Sequence, residues 1–526
     1  MQYLFTIIKA DYLQRTRSYS FLIILAFTVL MAYAFTPDHN ANYTTLSAAG
    51  YKGAYNSAWV GYVTSIMTAV MLSYAGFLLI NSGIKKDIET EVGLIIATTP
   101  ISNFKYLLCK LLSNYLLLLT ITLITFLMSI AMFFFRGAGY PFVWSNFILP
   151  YLFFPIPALF VVASLAVVGE VFLRKRTILQ FILYFVLCGV GMSLINSKSD
   201  PQTHGFLDPF GLNLITKSVV HHLNTHFNEN LESVSFGFIF NGQKRFKVFE
   251  WEGLSWSTLF VLSRLLWIGI GLVLVYISSL FFHRFDLSEP AKPKKRKGID
   301  LKATEFSAAR KSMELSITRL PALTFNYGIF SIVKTELRLL FRQGNQWIWL
   351  LNAGLWLAMC FTPLEIAYSY LLPILLFMQV TRWSELATKE KTNRVHYFAY
   401  ASYKPLQRLL PAQMLSGLIF ALLLSLPIIL RSTLNGDGFT VIHIINGNAF
   451  IVLLAVALGI LSGGKKLFEI IFFLLTYAVL NKVPATAYLG GLPHQNPTGL
   501  MLVVLAANVI LLATSLAIRN YQTRNL

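Results

Sequence analysis

The chain has 526 residues, of which 56% are apolar and 13% are charged, and its formal net charge is +20. A soluble domain carries about twice that fraction of charged residues, so the composition excludes a protein whose main solvent is water. The three cysteines, Cys109, Cys188 and Cys360, all lie in apolar segments and give no sign of a disulfide framework.

Apolar blocks follow one another along the chain, and most are near or above the ~18 to 20 residues that cross a hydrocarbon layer of ~30 Å. The sequence therefore predicts an all-α integral membrane protein with about 12 transmembrane helices, arranged as two parallel six-helix repeats. The predicted spans are 19–36, 58–80, 106–133, 147–172, 177–195, 257–282, 346–362, 366–381, 406–430, 447–462, 467–482 and 498–518.

The positions of the basic residues predict the orientation of the chain. When the N-terminus is placed inside and the spans alternate, most of the 43 Lys and Arg residues lie on the cytoplasmic side. This positive-inside bias predicts cytoplasmic N- and C-termini, and we expect the membrane to be a bacterial inner membrane. It also argues against a nucleic-acid partner, because no basic surface interleaved with stacking aromatics remains.

An amphipathic stretch at the start of the chain, 2–17, recurs in the middle at 327–343. The run that ends at Asp11 reappears as the run that ends at Glu336, with hydroxyl, aliphatic, cationic and acidic residues in the same order and an offset of 325 residues. A signal peptide cannot sit in the middle of a chain, so the recurrence also argues against reading the first span as one.

Three further correspondences follow in the same order along the chain. With their offsets they are Asp87 and Glu390 at 303 residues, the paired cations at 174–175 and 465–466 at 291, and Asp208-Pro209 and Asn496-Pro497 at 288. Around the first of them the matched pairs also include Glu89 with Thr392, Val92 with Val395, Lys105 with Arg408, Lys110 with Gln413 and Ser113 with Ser416. Falling offsets are expected if the second half has shorter loops, because loops tolerate deletion better than spans do.

The repeat predicts a first transmembrane half, 1–282, and a second, 327–526. Between them, 283–326 is a basic segment that we expect to be a cytoplasmic linker. Its cations could hold anionic membrane lipids at about 1 kcal/mol each, although a solvated linker is the commoner outcome. The polar segment 196–256 is predicted to form an extracytoplasmic insert found only in the first half.

The chain shows no convincing catalytic or cofactor site. Gly459 with Gly464-Lys465 has the spacing of a phosphate-binding loop, but Lys466 replaces the hydroxyl residue that holds magnesium, and an apolar helix replaces the preceding strand. We therefore expect no ATPase site of the chain's own and no cofactor. His221, His222 and His226 offer a zinc spacing without a further ligand, so a polar outer helix is the better interpretation.

Acidic residues are absent from the centres of the predicted spans. Glu170, Glu365 and Glu469 all fall near span ends. An ion-coupled carrier normally keeps carboxylates or broken helices in the middle of the membrane, so this pattern disfavours ion-driven transport.

The loop after the second span, 84–105, has a distinctive order of elements. A mixed-charge helical start from Lys85 to Glu91 leads into an apolar stretch, and a turn at 98–102 breaks the helix at Pro100. This pattern predicts a short amphipathic helix on the membrane surface, suited to docking on a soluble partner.

At these residues the chain resembles the type-2 ABC exporter permeases (the ABC-2 family). The acidic mixed-charge helix, the Gly93-Leu94 run, the turn at 99–102 and Lys110 resemble that family's coupling segment, and 2–17 resembles its N-terminal connecting helix. The corresponding segment of the second half, 385–408, departs from the pattern, because Tyr403-Lys404-Pro405 replaces the turn.

The resemblance implies the transmembrane subunit of an ATP-driven exporter, not itself an enzyme, that binds two copies or a heterodimer of cytoplasmic ABC ATPase subunits and moves an unknown substrate. The connecting helices 2–17 and 327–343 would lie beside the contact. The residues expected at the ATPase contact are Asp87, Glu89, Glu91, Gly93, Pro100, Lys105, Glu390, Thr392, Arg394 and Arg408. The alternatives are a membrane-embedded lipid or glycosyl transferase with its site in 196–256, and a secondary carrier.

Overall fold

The structure is a computed structural model, and helices predominate in it. The residues that it describes are 2–39, 41, 43–137, 139–173, 177–193, 208–227, 231–240, 246–282, 328–343, 346–480, 486–490 and 497–524. The predicted linker, 283–326, lies outside these residues, as do the first residues of the predicted insert, 196–207.

Eleven helices lie in the described part of the first half. They are α1 (Gln2–Thr16), α2 (Tyr19–Phe35), α3 (Ser57–Ile80), α4 (Gly83–Glu89), α5 (Val92–Ala97), α6 (Asn103–Arg136), α7 (Ser145–Phe153), α8 (Pro155–Leu173), α9 (Thr177–Ser193), α10 (Leu212–Phe227) and α11 (Thr258–Phe281).

The described part of the second half is helical as well. Its helices are α12 (Ile329–Arg342), α13 (Gln346–Phe361), α14 (Leu364–Ile366), α15 (Leu372–Phe377), α16 (Val380–Glu385), α17 (Lys389–Thr392), α18 (His396–Tyr400), α19 (Pro405–Leu434), α20 (Gly438–Ser462), α21 (Lys466–Leu480) and α22 (Pro497–Arg524). A π-helical turn, Ala367–Leu371, joins α14 to α15.

Within the described ranges, seven helices are long and apolar enough to cross a membrane, or eight if α1 and α2, bent by 73° to each other, form one span. The seven are Ser57–Ile88, Asn103–Arg136, Ser145–Leu173, Thr258–Phe281, Pro405–Leu434, Gly438–Ser462 and Thr498–Arg524. Shorter apolar helices occupy other predicted spans. The helical membrane protein is therefore confirmed, whereas the number twelve and the repeat stay predictions.

Local sequence explains where several of these helices begin and break. The Asn56 side chain accepts a hydrogen bond from the Trp59 amide at the start of α3, and the Ser102 hydroxyl accepts one from the Lys105 amide at the start of α6. The predicted span 147–172 is divided at Phe154, because Pro155 cannot donate the next helical hydrogen bond. Such caps and breaks set where these helices begin and end.

Helix α21 lies between the two halves. Its Leu467, Ile470 and Phe473 belong to the apolar core of the first half, whereas Phe468 and Phe472 belong to the core of the second. The helix also packs against α2, α3 and α15. One helix of the second half thus joins the two apolar cores.

Four short strands form a cap at one end of α3. The antiparallel pair is β1 (Tyr43–Ser47) with β3 (Ser235–Phe240), and the parallel pair is β2 (Tyr51–Gly53) with β4 (Lys247–Phe249). The all-α prediction missed them, because each strand has at most six residues and pairs with a segment almost 200 residues away in the chain.

The cap is attached to the helices by polar contacts of buried groups. The Asn56 amide donates to the Trp251 carbonyl at 2.7 Å, and the guanidinium of Arg264 in α11 donates to the carbonyls of Asp208 and Pro209. The Asp208 carboxylate in turn accepts backbone N–H groups at the start of α10. We call this end of the protein the cap end, and the opposite end, which holds 81–105 and 385–408, the loop end.

The positive-inside bias predicts that the loop end faces the cytoplasm and the cap end faces outside. A membrane-impermeant maleimide applied to intact cells should therefore label Phe227→Cys at the cap end and spare Phe398→Cys at the loop end. Both positions are exposed in the structure. The unmodified chain gives the background, since Cys109 and Cys188 are buried. Labelling of position 398 alone would reverse the assigned orientation.

Candidate partner-docking site at the loop end

The loop after α3 forms two short helices joined by a strained residue. Glu91 joins α4 to α5 with a left-handed backbone, φ 61°, and Arg394 joins α17 to α18 with φ 56°. These two residues are 303 positions apart, the offset already seen for Asp87 and Glu390. A left-handed non-glycine residue costs about 1 to 2 kcal/mol, so both halves keep the same costly kink at the same place.

The first kink exposes apolar side chains at the loop end. Val92, Leu94 and Ile95 in α5 are exposed, and Ile95 is the most exposed of them at 68%. Glu91 and Pro100 are exposed on either side. We call Glu91 to Pro100 the first tip. A contiguous apolar surface with polar neighbours is typical of a protein or membrane contact.

The second kink exposes a different set of side chains. Val395, Tyr397, Phe398 and Tyr403 are exposed, and Phe398 reaches 83%. The cation Arg394 is exposed at the start of this segment. We call 394–404 the second tip. Both tips therefore present apolar side chains. In the first tip these side chains are aliphatic and lie next to an acidic residue, and in the second tip most are aromatic and lie next to cations.

A buried network holds the first tip to the helices. The Lys110 ammonium in α6 lies 2.8 Å from an Asp87 carboxylate oxygen in α4 and 3.2 Å from an Asp11 oxygen in α1. The Tyr106 hydroxyl donates to Asp87 at 2.6 Å, and the Ser113 hydroxyl donates to Asp11. One cation thus joins three helices through two carboxylates.

The surroundings of Asp11 favour its charged form. Burial opposes ionisation, but the charges of Arg15 and Lys110 and the hydrogen bond from Ser113 together outweigh it, so the pKa of Asp11 lies below its ordinary value. A carboxylate held in this way needs its cation, because an unpaired buried charge is costly.

A second anchor of the first tip is the carboxylate of Glu170 at the end of α8. It accepts hydrogen bonds from the backbone N–H groups of Ser82, Gly83, Ile84 and Lys85, at 2.6 to 3.2 Å. These are the groups that the start of α4 leaves without helical partners. The sequence placed Glu170 near a span end but gave no sign of this role, because its partners are backbone groups.

The second tip has an equivalent but differently charged anchor. Glu336 in α12 pairs with Lys389 in α17, and the Gln413 amide in α19 donates to Glu390. Burial is the main effect on Glu336 and raises its pKa, although Lys389 opposes the shift. The Arg519 guanidinium of α22 also donates to the Ala387 carbonyl at 3.0 Å. In the first half, Asp11 and Asp87 both contact Lys110. Their counterparts in the sequence match, Glu336 and Glu390, both contact Gln413, the counterpart of Lys110, in the second half.

The residues expected at the partner contact divide into two groups. Exposed at the loop end are Glu91, Pro100, Lys105, Thr392 and Arg394, and Arg408 is partly exposed. Asp87, Gly93 and Glu390 are buried. Glu89 ends α4, and its side chain is not described. Because Asp87 and Glu390 are held by buried partners, we assign them to supporting the tips, not to a surface contact.

The phosphate-loop lookalike occupies a turn between two helices. Gly463 ends α20 in a left-handed conformation, φ 64°, and α21 begins at Lys466. The Lys465 ammonium pairs with Glu385 at 2.7 Å. At the cap end, the rings of His222 and His226 stack at 4.3 Å, and the described residues include no group of three side chains that could hold a metal ion.

Comparisons with known proteins do not assign a function to this chain. No family model, curated protein or solved structure matches the chain.

The Lys110 network predicts a specific loss of stability. Lys110→Met leaves the buried carboxylates of Asp11 and Asp87 without their shared cation, and we expect it to cost about 3 to 5 kcal/mol of unfolding free energy. Because folding lowers the pKa of Asp11, the stability that the Asp11 carboxylate contributes is complete above the ordinary carboxyl pKa and is lost as the pH falls through the lowered one. Equilibrium unfolding in detergent micelles measures it.

The matched control for that measurement is Lys105→Met, which removes an exposed cation from the same helix. It should change the free energy of unfolding by less than about 0.5 kcal/mol. Equal losses in the two variants would contradict the assigned role of Lys110.

Proposed function

We propose that the chain is the transmembrane permease subunit of an ABC transporter, working as an exporter, with two fused six-helix halves and no ATPase site of its own. Its cytoplasmic partners are separate ABC ATPase subunits, two copies or a heterodimer, that bind the two tips. The loop end then faces the cytoplasm of a bacterial inner membrane, with both chain termini on that side. The transported substrate crosses between the halves.

The observation that carries this proposal is the form of the tips. Each is a kinked pair of short helices with exposed apolar side chains, anchored by buried polar groups to helices that enter the membrane. A surface that only touched lipid would need no such rigid anchor. A partner that moved the first tip would also move α8 through Glu170 and α6 through Lys110. That is the mechanical linkage a permease requires.

The two-fold repeat is supported by which helices pack together. Helix α1 packs on α6, as α12 packs on α19, and α8 packs on α11, as α20 packs on α22. Helix α6 packs on α8, as α19 packs on α20. Each pair joins elements that occupy the same place in the predicted order of the two halves, and this supports six spans per half.

The docking proposal predicts that an acidic residue on a tip breaks the coupling. Ile95→Asp and Phe398→Asp each place a charge where a partner would bury an apolar side chain, and we expect each to reduce ATPase association by about tenfold or more. Glu91→Lys should weaken association through repulsion at the rim of the first tip. The measurement is co-purification of the chain with the cytoplasmic ABC ATPase subunits that the proposal requires, together with hydrolysis in proteoliposomes.

The matched control is Leu123→Asn in α6, an exposed apolar position away from the loop end. All variants are compared at equal yield of folded protein. If both tip variants bound the ATPase as well as the unmodified chain does, the proposed docking at the tips would be wrong. That result would favour a membrane-embedded transferase or a secondary carrier.

The turn geometry also predicts that the purified chain alone does not hydrolyse ATP. Lys465→Ala should leave nucleotide binding at the background level, because Lys465 pairs with Glu385 and no hydroxyl residue follows it. An isotopic hydrolysis assay of the isolated chain tests this directly. Hydrolysis that Lys465→Ala abolishes would mean that the turn is a nucleotide site after all.

A further inference from the structure

Four aromatic side chains meet where the two halves join. Phe185 in α9 stacks on Phe473 in α21, with ring centroids 4.7 Å apart and planes within 5° of parallel. Tyr74 in α3 contacts both rings, at 5.6 and 5.9 Å, and Phe377 in α15 contacts Phe473 at 5.8 Å. We call these four residues the aromatic seam.

The seam follows the internal repeat. Phe377 lies 303 positions after Tyr74, the offset of the tips, and Phe473 lies 288 positions after Phe185, the offset of the Asp208 and Asn496 motifs. Each half therefore contributes the same two positions. Residues that correspond under a two-fold repeat and touch each other lie close to its axis, which is where a path between two halves would run.

Polar groups lie on the loop side of the seam. The Asn81 amide donates to Gln180 at 2.9 Å, and the Lys466 ammonium donates to the Leu78 carbonyl and lies 3.3 Å from Glu469. At the other end the strand β3 of the cap covers α21, since a Cβ at Gly237 would lie 3.8 Å from the Tyr477 hydroxyl. The seam thus separates a polar loop-side zone from the cap.

The seam itself carries no charged or amide side chain. A polar solute crossing it would lose hydrogen bonds to water at several kcal/mol each and would find only the Tyr74 hydroxyl to replace them. An apolar chain would lose nothing and could slide between rings that offer dispersion contacts. The loop-side zone, where the Lys466 ammonium is paired with Glu469, provides a polar surface for the head group at the end of such a chain.

From this placement we infer that the aromatic seam is the gate of a path between the two halves and that the substrate is an amphiphile with a long apolar chain. The inference deepens the proposed transport function and rests on it. It requires that the stacked rings separate when the halves move, and that they keep the path shut otherwise. Opening the seam by truncation should therefore let lipid through without ATP or an ATPase.

The test uses the full chain in vesicles of phosphatidylethanolamine and phosphatidylglycerol that contain a fluorescent NBD-phosphatidylglycerol. Dithionite quenching reports movement of the labelled lipid between leaflets, and release of trapped carboxyfluorescein reports an aqueous leak. Phe185→Ala with Phe473→Ala should speed lipid movement by about tenfold or more over the unmodified chain. Dye release should stay at the level of that chain.

The matched control is Phe172→Ala with Phe281→Ala. These rings also contact each other, at 5.6 Å, but they are exposed on α8 and α11 away from the junction of the halves. This pair should leave both signals unchanged. If the alanine pair at the seam does not fold, Phe185→Leu with Phe473→Leu should give a smaller increase in the same assay.

Two outcomes would overturn the inference. Unchanged lipid movement in the folded seam variants would mean that the rings only pack the two halves together. Dye release without lipid movement would mean a gate for polar solutes and would refute the amphiphile. Because the assay contains no nucleotide and no ATPase, neither outcome depends on whether the tips bind an ABC ATPase.

Discussion

The buried Lys110 ammonium is the interaction on which the loop end of the first half depends. Two carboxylates, Asp11 on α1 and Asp87 on α4, share this one cation on α6 and so join three helices. Such a cluster is stable while all its members are present. Removing one member costs free energy, because it leaves a buried charge without its partner. The tip beyond Asp87 is therefore a rigid extension of the membrane helices. The Glu170 carboxylate also accepts hydrogen bonds from the start of α4, so both α6 and α8 hold the first tip in position.

The helical membrane class could be predicted, because apolar length is a strong local signal in a bilayer. The number of spans stays a prediction, since seven or eight of the described helices are long and apolar enough to cross. Matched polar residues were also visible, since Asp87 and Glu390 stand at the same offset as their neighbours. Their contacts were not visible, because nothing in the sequence places Asp11 against Lys110 or Glu336 beside Lys389. The cap strands were missed for a related reason, as their partners lie almost 200 residues away. Burial of Asp87 and Glu390 changed their assignment from docking to support.

The contacts of the aromatic seam could not be predicted from the sequence either. Tyr74 and Phe473 are aromatics among many in this chain, and periodicity cannot separate rings that face lipid from rings that face the other half. In the sequence, only the predicted repeat distinguishes these positions, because Tyr74 and Phe377 are separated by the same 303 residues as the tips. Helix α21 explains the outcome physically. It divides its side chains between two apolar cores, so its rings lie at the boundary between the two halves.

The loop ends of the two halves share the position of the kink but differ in their charges. In the first half, the central cation lies on the membrane helix α6, and the short helix α4 supplies only the carboxylate of Asp87. In the second half, the neutral Gln413 lies on α19, and the cation Lys389 belongs to the short helix α17. Displacing the second tip would therefore pull mainly on α12, which carries Glu336, while the first tip is held by α1, α6 and α8 together. The tips differ as well, one acidic and aliphatic, the other cationic and aromatic. A partner dimer with two identical faces would meet two different surfaces and two different resistances, so its two subunits would act unequally on this chain.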